Sequence, residues 1–175
     1  MKEWIKDIAI AVVIALIIVQ FIKPTIVKES SMEPNFYNND YLFVSKQAYL
    51  FNEPNRGDVV VFESSLLREN GDKKLLIKRV VGLPGEHLQI IDEKIYIDGQ
   101  MLDETYTMDG TTYGYGVDVI IPEGQYFCMG DNRDVSIDSR DPEVGCVDIE
   151  QFVGKVIFRL FPFGKFGPIR NPYNL

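Results

Sequence analysis

The sequence is poor in the residues that most often carry metal or thiol chemistry. It holds one histidine, His87, and two cysteines, Cys128 and Cys146, in 175 residues. Two cysteines cannot build a disulfide scaffold or a four-cysteine zinc site. With one histidine an imidazole-ligated zinc is nearly excluded, so no metal and no other cofactor is expected. A Ser-His-Asp hydrolase would have to use His87, and a cysteine nucleophile would need the same ring; no spacing supports either. Positive charge is also scarce: 18 Lys and Arg stand against 26 Asp and Glu, a formal net charge of -8. Binding a phosphate backbone needs a basic surface, so nucleic acid is excluded as the main partner. What remains is a chain with 46% apolar and 25% charged residues, long enough for one domain with a real core.

The apolar residues are unevenly spread. From Ile8 to Ile22 there is no charge. As a helix this run covers about 22 Å, slightly short of a bilayer core of about 30 Å. Trp4 and Ile5 extend it, and Lys6 and Lys23 can snorkel to the headgroups. A cleaved leader would end in small residues, but the exit reads Gln20-Phe21-Ile22-Lys23-Pro24. A buried core helix would show a polar stripe, and only Gln20 interrupts the run. The expectation is an uncleaved anchor in the lipid bilayer, stopped before Pro24 because the residue ahead of a proline avoids the helical region. Lysines flank both ends and do not set the orientation. The short leading tail favours a cytoplasmic N-terminus. Residues 1–23 then form the tail and anchor, and residues 24–175 an extracytoplasmic domain.

That domain reads as mainly β. Short runs of Val, Ile, Phe and Tyr alternate with Gly, Pro, Asn and Asp. Expected strands are Tyr41–Val44, Asp58–Glu63, Leu75–Val81, Leu88–Ile91, Lys94–Ile97, Val117–Ile121, Gln125–Met129 and Gly154–Leu160, with a hairpin turn at Asp98-Gly99. Their spacing suggests an antiparallel barrel or sandwich. The stretch 86–124 is read as an inserted β subdomain, with an ordinary long loop as the competing reading.

Three polar clusters interrupt the strands: Ser30 to Asn35, Lys78 within Leu75–Val81, and Gly130 to Arg140. Alternation puts Leu76, Lys78 and Val80 on one strand face and Ile77, Arg79 and Val81 on the other. One of two adjacent cations therefore points toward apolar surroundings. A desolvated lysine loses proton affinity and can act as a base toward a hydroxyl. The competing reading is a strand-edge lysine in water. The third cluster is equally compatible with a turn-rich salt-bridge loop.

Together with the N-terminal run, these stretches resemble the type I signal peptidases, membrane-anchored Ser-Lys proteases, and most closely their Gram-positive branch. The resemblance is carried by Ser31-Met32-x-Pro34, Arg56-Gly57-Asp58-Val59-Val60-Val61-Phe62, Lys78-Arg79-Val80-Val81-Gly82-Leu83-Pro84-Gly85 and Gly130-Asp131-Asn132-Arg133-Asp134-x-Ser136-x-Asp138-Ser139-Arg140, in that order. It implies a mostly antiparallel β fold and a bacterial plasma-membrane location. It also implies signal-peptide-bearing preproteins as substrates, cut after small residues in A-x-A-like sites, and a secretion translocon as a partner. By the same resemblance Ser31 is the nucleophile, Lys78 the general base, and Ser136 the residue that hydrogen-bonds and orients the lysine. Asp138 and Arg140 support that loop, with Asp131 and Arg79 beside them, while Asn132 and Arg133 are scaffold residues. The Ser31 backbone N–H is one oxyanion donor. Some members carry a serine two residues before the nucleophile; this chain has Glu29 there, which leaves Ser30, a backbone N–H or water as the second donor. Asn35 stands where the family commonly has threonine.

A substrate strand could add beside Thr25–Ser31 and Leu75–Lys78, with Val27, Met32, Phe36, Leu76 and Ile77 as candidates for shallow apolar pockets. The Phe-rich run 158–166 suits either a membrane interface or an ordinary core. Cys128 and Cys146 are expected unpaired, and His87 at the surface. Two other readings compete: a self-cleaving Ser-Lys peptidase of the SOS-repressor type, and a catalytically silent signal-peptidase-like factor such as one for pilus assembly. The anchor and the lack of a DNA-binding module count against the first. The second would lack Ser31 or Lys78.

Overall fold

A computed structural model describes residues 2–108, 110–114 and 116–173; in the first helix, the side chains at 2, 3 and 14–19 lie outside the described set. The chain opens with helix α1 (Lys2–Phe21). Among the described residues no helix is long and apolar enough to cross a membrane. Part of the apolar run expected to do so, 14–19, lies outside the described side chains.

The helix ends where strand β1 (Ile22–Ile26) begins. The uncharged run predicts a helix through Ile22 with its stop at Pro24; instead Ile22 already pairs with Ser45. A proline cannot donate to a ladder and is tolerated on an edge, which is where β1 lies. There follow β2 (Tyr41–Ser45), β3 (Val59–Leu67), β4 (Lys73–Gly82), β5 (His87–Ile91), β6 (Lys94–Ile97), β7 (Gln100–Met101), β8 (Asp118–Ile120), β9 (Gln125–Met129), β10 (Val147–Asp148), β11 (Phe152–Phe161) and β12 (Gly167–Pro168). Among the described residues all the pairings are antiparallel. One sheet runs β1-β2-β11-β3-β4-β9-β10, with β12 on β11, and the second runs β7-β6-β5-β8.

Strand β3 shows why the large sheet is buried on both faces. Its run Val59-Val60-Val61-Phe62 favours extended backbone and alternates between two cores. Val59 and Val61 join Val27, Met32, Phe36 and Leu42, whereas Val60 and Phe62 join Leu76, Val80, Tyr126 and Cys128. A third cluster, with Val81, Leu88, Ile121, Phe127 and Met129, joins the two sheets.

The hairpin turns of the small sheet are tight. Asp98 and Gly99 have φ of 50° and 78°, the pair of left-handed residues a two-residue turn demands. The β5–β6 turn has φ of 47° at Asp92 and 61° at Glu93, with no glycine. A left-handed conformation costs an ordinary residue about 1 kcal/mol or more. Glu93→Gly is therefore expected to raise stability by about 0.5–1 kcal/mol in denaturant melts, after the entropy cost of the glycine. A destabilised variant would refute the strain at this turn.

Candidate active site

The segment after β1 turns sharply. Glu29 adopts a positive φ of 78°. A helical turn then closes through Phe36 N–H donating to Met32 O at 2.8 Å. Met32 and Phe36 are buried in the first core cluster and pin this turn from below. Ser31 is thereby held over β4. The polar cluster Gly130–Arg140 folds against it: Asn132 N–H donates to Ser31 O at 3.1 Å, and Asn132 Nδ2 to Ser30 O at 3.3 Å. At Gly130 the approach is so close that an added Cβ would sit 2.5 Å from Ser31 O and 2.3 Å from Ser136 Oγ. Only a residue without a side chain fits.

Lys78 comes from the middle of β4 and is 1% exposed. Its Nζ lies 2.7 Å from Ser31 Oγ. Strand alternation brings it there, with Leu76 and Val80 on its flanks in one core cluster. Burial brings its ammonium down from 10.5 to about 8, against the partial pull of the Asp138 and Glu29 carboxylates. A base of that pKa is substantially neutral in mildly alkaline water, and its lone pair then faces the serine proton.

Around this pair lie two buried ion pairs. Arg79, the next residue on β4, clamps Asp131 through Nε–Oδ1 at 2.8 Å and Nη2–Oδ2 at 2.6 Å. It also donates to Gly57 O, and its guanidinium lies 4.4 Å from the Tyr106 ring centre. Arg140 holds Asp138 through Nε at 2.8 Å and Nη2 at 2.9 Å. Burial alone would raise the Asp138 carboxyl, but the Arg140 guanidinium and the Gly130 N–H hold it below the usual carboxylate range. Asp138 is thus a fixed negative charge under the loop. Arg133 is a third buried cation, bonded to Glu104 and Thr112.

A family model described as signal peptidase, peptidase S26, matches residues 1–161. The chain belongs to the signal peptidase family. Signal peptidase I of Bacillus licheniformis is 37% identical, over 93% of this chain and 90% of its own length. Signal peptidase IB of Staphylococcus aureus is 34% identical over 98% and 95%. A probable signal peptidase I-2 of Synechocystis is 35% identical over 93% and 74%.

Within this family setting, the expected residues separate into two groups. Ser31, Lys78, Arg79, Asp131, Asp138 and Arg140 converge as described. Ser136 does not orient the lysine by a hydrogen bond: its buried Oγ has no such partner among the described residues. It approaches the Asp138 carboxylate, whose charge it favours. Val27, Leu76 and Ile77 do line a groove of about 340 Å³ that opens on Ser31 and Lys78, together with Thr25 and Val61. Met32 and Phe36 do not; they are packed beneath the serine turn against Val59, Val61 and Val156. Glu29 lines the same groove with its side chain about half exposed, paired with Lys74 at 2.7 Å.

Asn35 carries more than its place in a turn suggested. Its Nδ2 donates to Asp131 Oδ2 at 2.8 Å and to Tyr106 O at 2.6 Å, so it ties the serine turn to the polar cluster Gly130–Arg140. The only sequence signal was its departure from the family's threonine. Tyr106 and Thr112, both within the stretch 86–124 read as an inserted subdomain, are buried. His87 stands on the second sheet, half-exposed and 2.5 Å from Asp118. Cys128 and Cys146 are free thiols, and burial pushes both up, which leaves them poor nucleophiles. In the Phe-rich run, Phe161, Phe163 and Phe166 are exposed, so the core reading fails for them.

Proposed function

We propose that this chain is a type I signal peptidase, a serine endopeptidase that removes signal peptides from preproteins with a Ser31-Lys78 dyad. The observation that carries this reading is the 2.7 Å contact between Lys78 Nζ and Ser31 Oγ in a buried setting. Neutral Lys78 takes the hydroxyl proton as Ser31 attacks the scissile carbonyl, and an acyl-enzyme forms. Lys78 returns the proton to the leaving amine, and water then releases the acyl group with the lysine again as base. The Ser31 N–H supplies one oxyanion donor. The Arg140–Asp138 and Arg79–Asp131 pairs hold the loop that supports the serine turn.

The substrate strand lies in the groove between residues 25–29 and the start of β4. On β4, pairing with β9 begins only at Arg79, so the backbone edge before it is open on that side. A peptide added there gains ladder hydrogen bonds, and the apolar wall of Val27, Leu76 and Ile77 favours small side chains near the cut. A catalytically silent assembly factor is not favoured, because serine and lysine are both present and in contact.

Helix α1 is the membrane anchor in this reading, with the N-terminus in the cytoplasm and residues 24–175 outside. Its 20 residues span about 30 Å. Trp4, Ile5, Ile8, Ile10, Val12 and Val13 are all exposed on it, apolar surface that lipid would cover.

The deciding assay is cleavage of a preprotein with an A-x-A site in detergent or liposomes. Wild type, Ser30→Ala and His87→Ala are expected to cut, and Ser31→Ala to be inactive. Full activity in Ser31→Ala would sink the nucleophile. Loss in a folded His87→Ala would replace the lysine base by histidine.

A further inference from the structure

In a chain with a net charge of -8, two pockets gather four cations each: the groove on Ser31, where Glu29 stands among them, and a second pocket without a carboxylate in its lining among the described residues. The second lies behind the serine turn, with a volume of about 360 Å³, and is lined by Arg79, Arg159, Lys165 and Arg170 together with Asn35 and Phe36. Arg79 is neutralised by Asp131. Arg159 faces the buried carboxylate of Asp40, whereas Lys165 and Arg170 have no carboxylate within ion-pair distance among the described residues.

Arg159 is the inner wall. It projects from β11, is 6% exposed, and lies 4.7 Å over the Phe36 ring. Its Nη2 donates to Asn35 O at 2.5 Å. Asp40 comes within 3.3 Å of its Nε. That approach does not make a hydrogen bond, and Nε is buried without a partner among the described residues. At the mouth, Lys165 sits 4.4 Å over the Tyr37 ring, with its ammonium exposed, and Arg170 is exposed as well.

We propose that this pocket binds the phosphate of an anionic phospholipid headgroup. Two guanidiniums and an ammonium converge on one space, the donor set that a tetrahedral, multiply accepting phosphate suits. Phe163 and Phe166, exposed on the segment that carries Lys165, supply the apolar rim that acyl chains would meet. The rim favours a lipid over free phosphate. The membrane anchor of the reading above places such lipid within reach, but the site itself does not depend on the peptidase chemistry.

The test uses the full chain, delipidated in nonionic detergent. Thermal unfolding is followed while dihexanoyl-phosphatidylglycerol, dihexanoyl-phosphatidylcholine or inorganic phosphate is added. The glycerol lipid should raise the midpoint saturably. Phosphatidylcholine should bind more weakly, because its choline cation meets the pocket's own charge. In Lys165→Ala/Arg170→Ala, both positions being exposed, the apparent affinity for the glycerol lipid should fall about tenfold. Lys94→Ala, a cation on the second sheet, should leave it unchanged. Equal titrations for wild type and the double variant would overturn the site. A response to inorganic phosphate as strong as to the lipid would overturn the headgroup assignment in favour of a free-anion site. An unchanged cleavage assay in either case keeps this outcome separate from the peptidase reading.

Discussion

Replacing Lys78 by methionine is expected to abolish cleavage while making the protein more stable at neutral pH. The two effects have one cause. Lys78 is buried, and burial lowers its ammonium from 10.5 to about 8. At pH 7 it is mostly protonated in the folded and the unfolded chain alike, so the full desolvation cost falls on the fold. At about 1.4 kcal/mol per pH unit the shift corresponds to roughly 3 kcal/mol. Methionine has nearly the same shape and no charge to desolvate. Some gain is offset by the lost bond to Ser31. The expected result is a rise in unfolding free energy at pH 7, with a fall in cleavage of about 10⁴-fold, since a neutral thioether cannot take the serine proton.

The pH dependence tests the same group twice. Between pH 8 and 10.5 the unfolded chain keeps the lysine proton and the folded chain releases it. Stability from this group therefore rises with pH across that window and is flat below it. The difference between wild type and Lys78→Met should shrink over the same range. Cleavage efficiency should rise about tenfold per pH unit up to about pH 8 and then level, as the free base accumulates. Equal stability of the two proteins at pH 7, or an activity profile flat from pH 6 to 9, would remove the desolvated lysine from the mechanism.

The strands β3, β4, β6 and β9 were legible because runs such as Val59–Phe62 are both β-branched and punctuated. Strand β1 was not. Its apolar residues continue the helix's own hydropathy, and its extended form comes from pairing with β2, which is a tertiary fact. Lys78 could be placed on a strand face by alternation. That it is buried depends on β3 beside it, on the core around Leu76 and Val80, and on a serine 47 residues away, which local pattern does not contain. The resemblance to signal peptidases supplied that partner. Asn35 shows the remaining limit, since its role rests on Asp131, 96 positions later. Met32 and Phe36 were misplaced for the complementary reason: apolar residues beside a nucleophile suit a pocket or a core equally well, and only the packing against Val59 and Val61 decides.

The second large effect belongs to the Arg79–Asp131 pair. Both side chains are almost wholly buried, and the two bonds between them are parallel and short. Removing one partner of such a pair strands a charge, at a cost of about 3–5 kcal/mol. Asp131→Ala leaves a guanidinium buried between Tyr106 and Gly57 O, and also frees Asn35 from the polar cluster Gly130–Arg140. Arg79→Met leaves a buried carboxylate with only the Asn35 amide. Each variant is expected to lose about 3–5 kcal/mol in urea unfolding. The double variant Arg79→Met/Asp131→Leu should lose clearly less than the two singles together, because neither charge is then left alone. Activity should not return with stability in that double variant. Asp131 is the neighbour of Asn132, whose N–H holds the Ser31 carbonyl, and the anchored loop keeps the hydroxyl 2.7 Å from the lysine. A displacement of about 1 Å there is enough to cost about 10²-fold in rate. A folded double variant with wild-type turnover would show that the pair serves the fold alone. Additive losses would show that the two residues do not act as a pair.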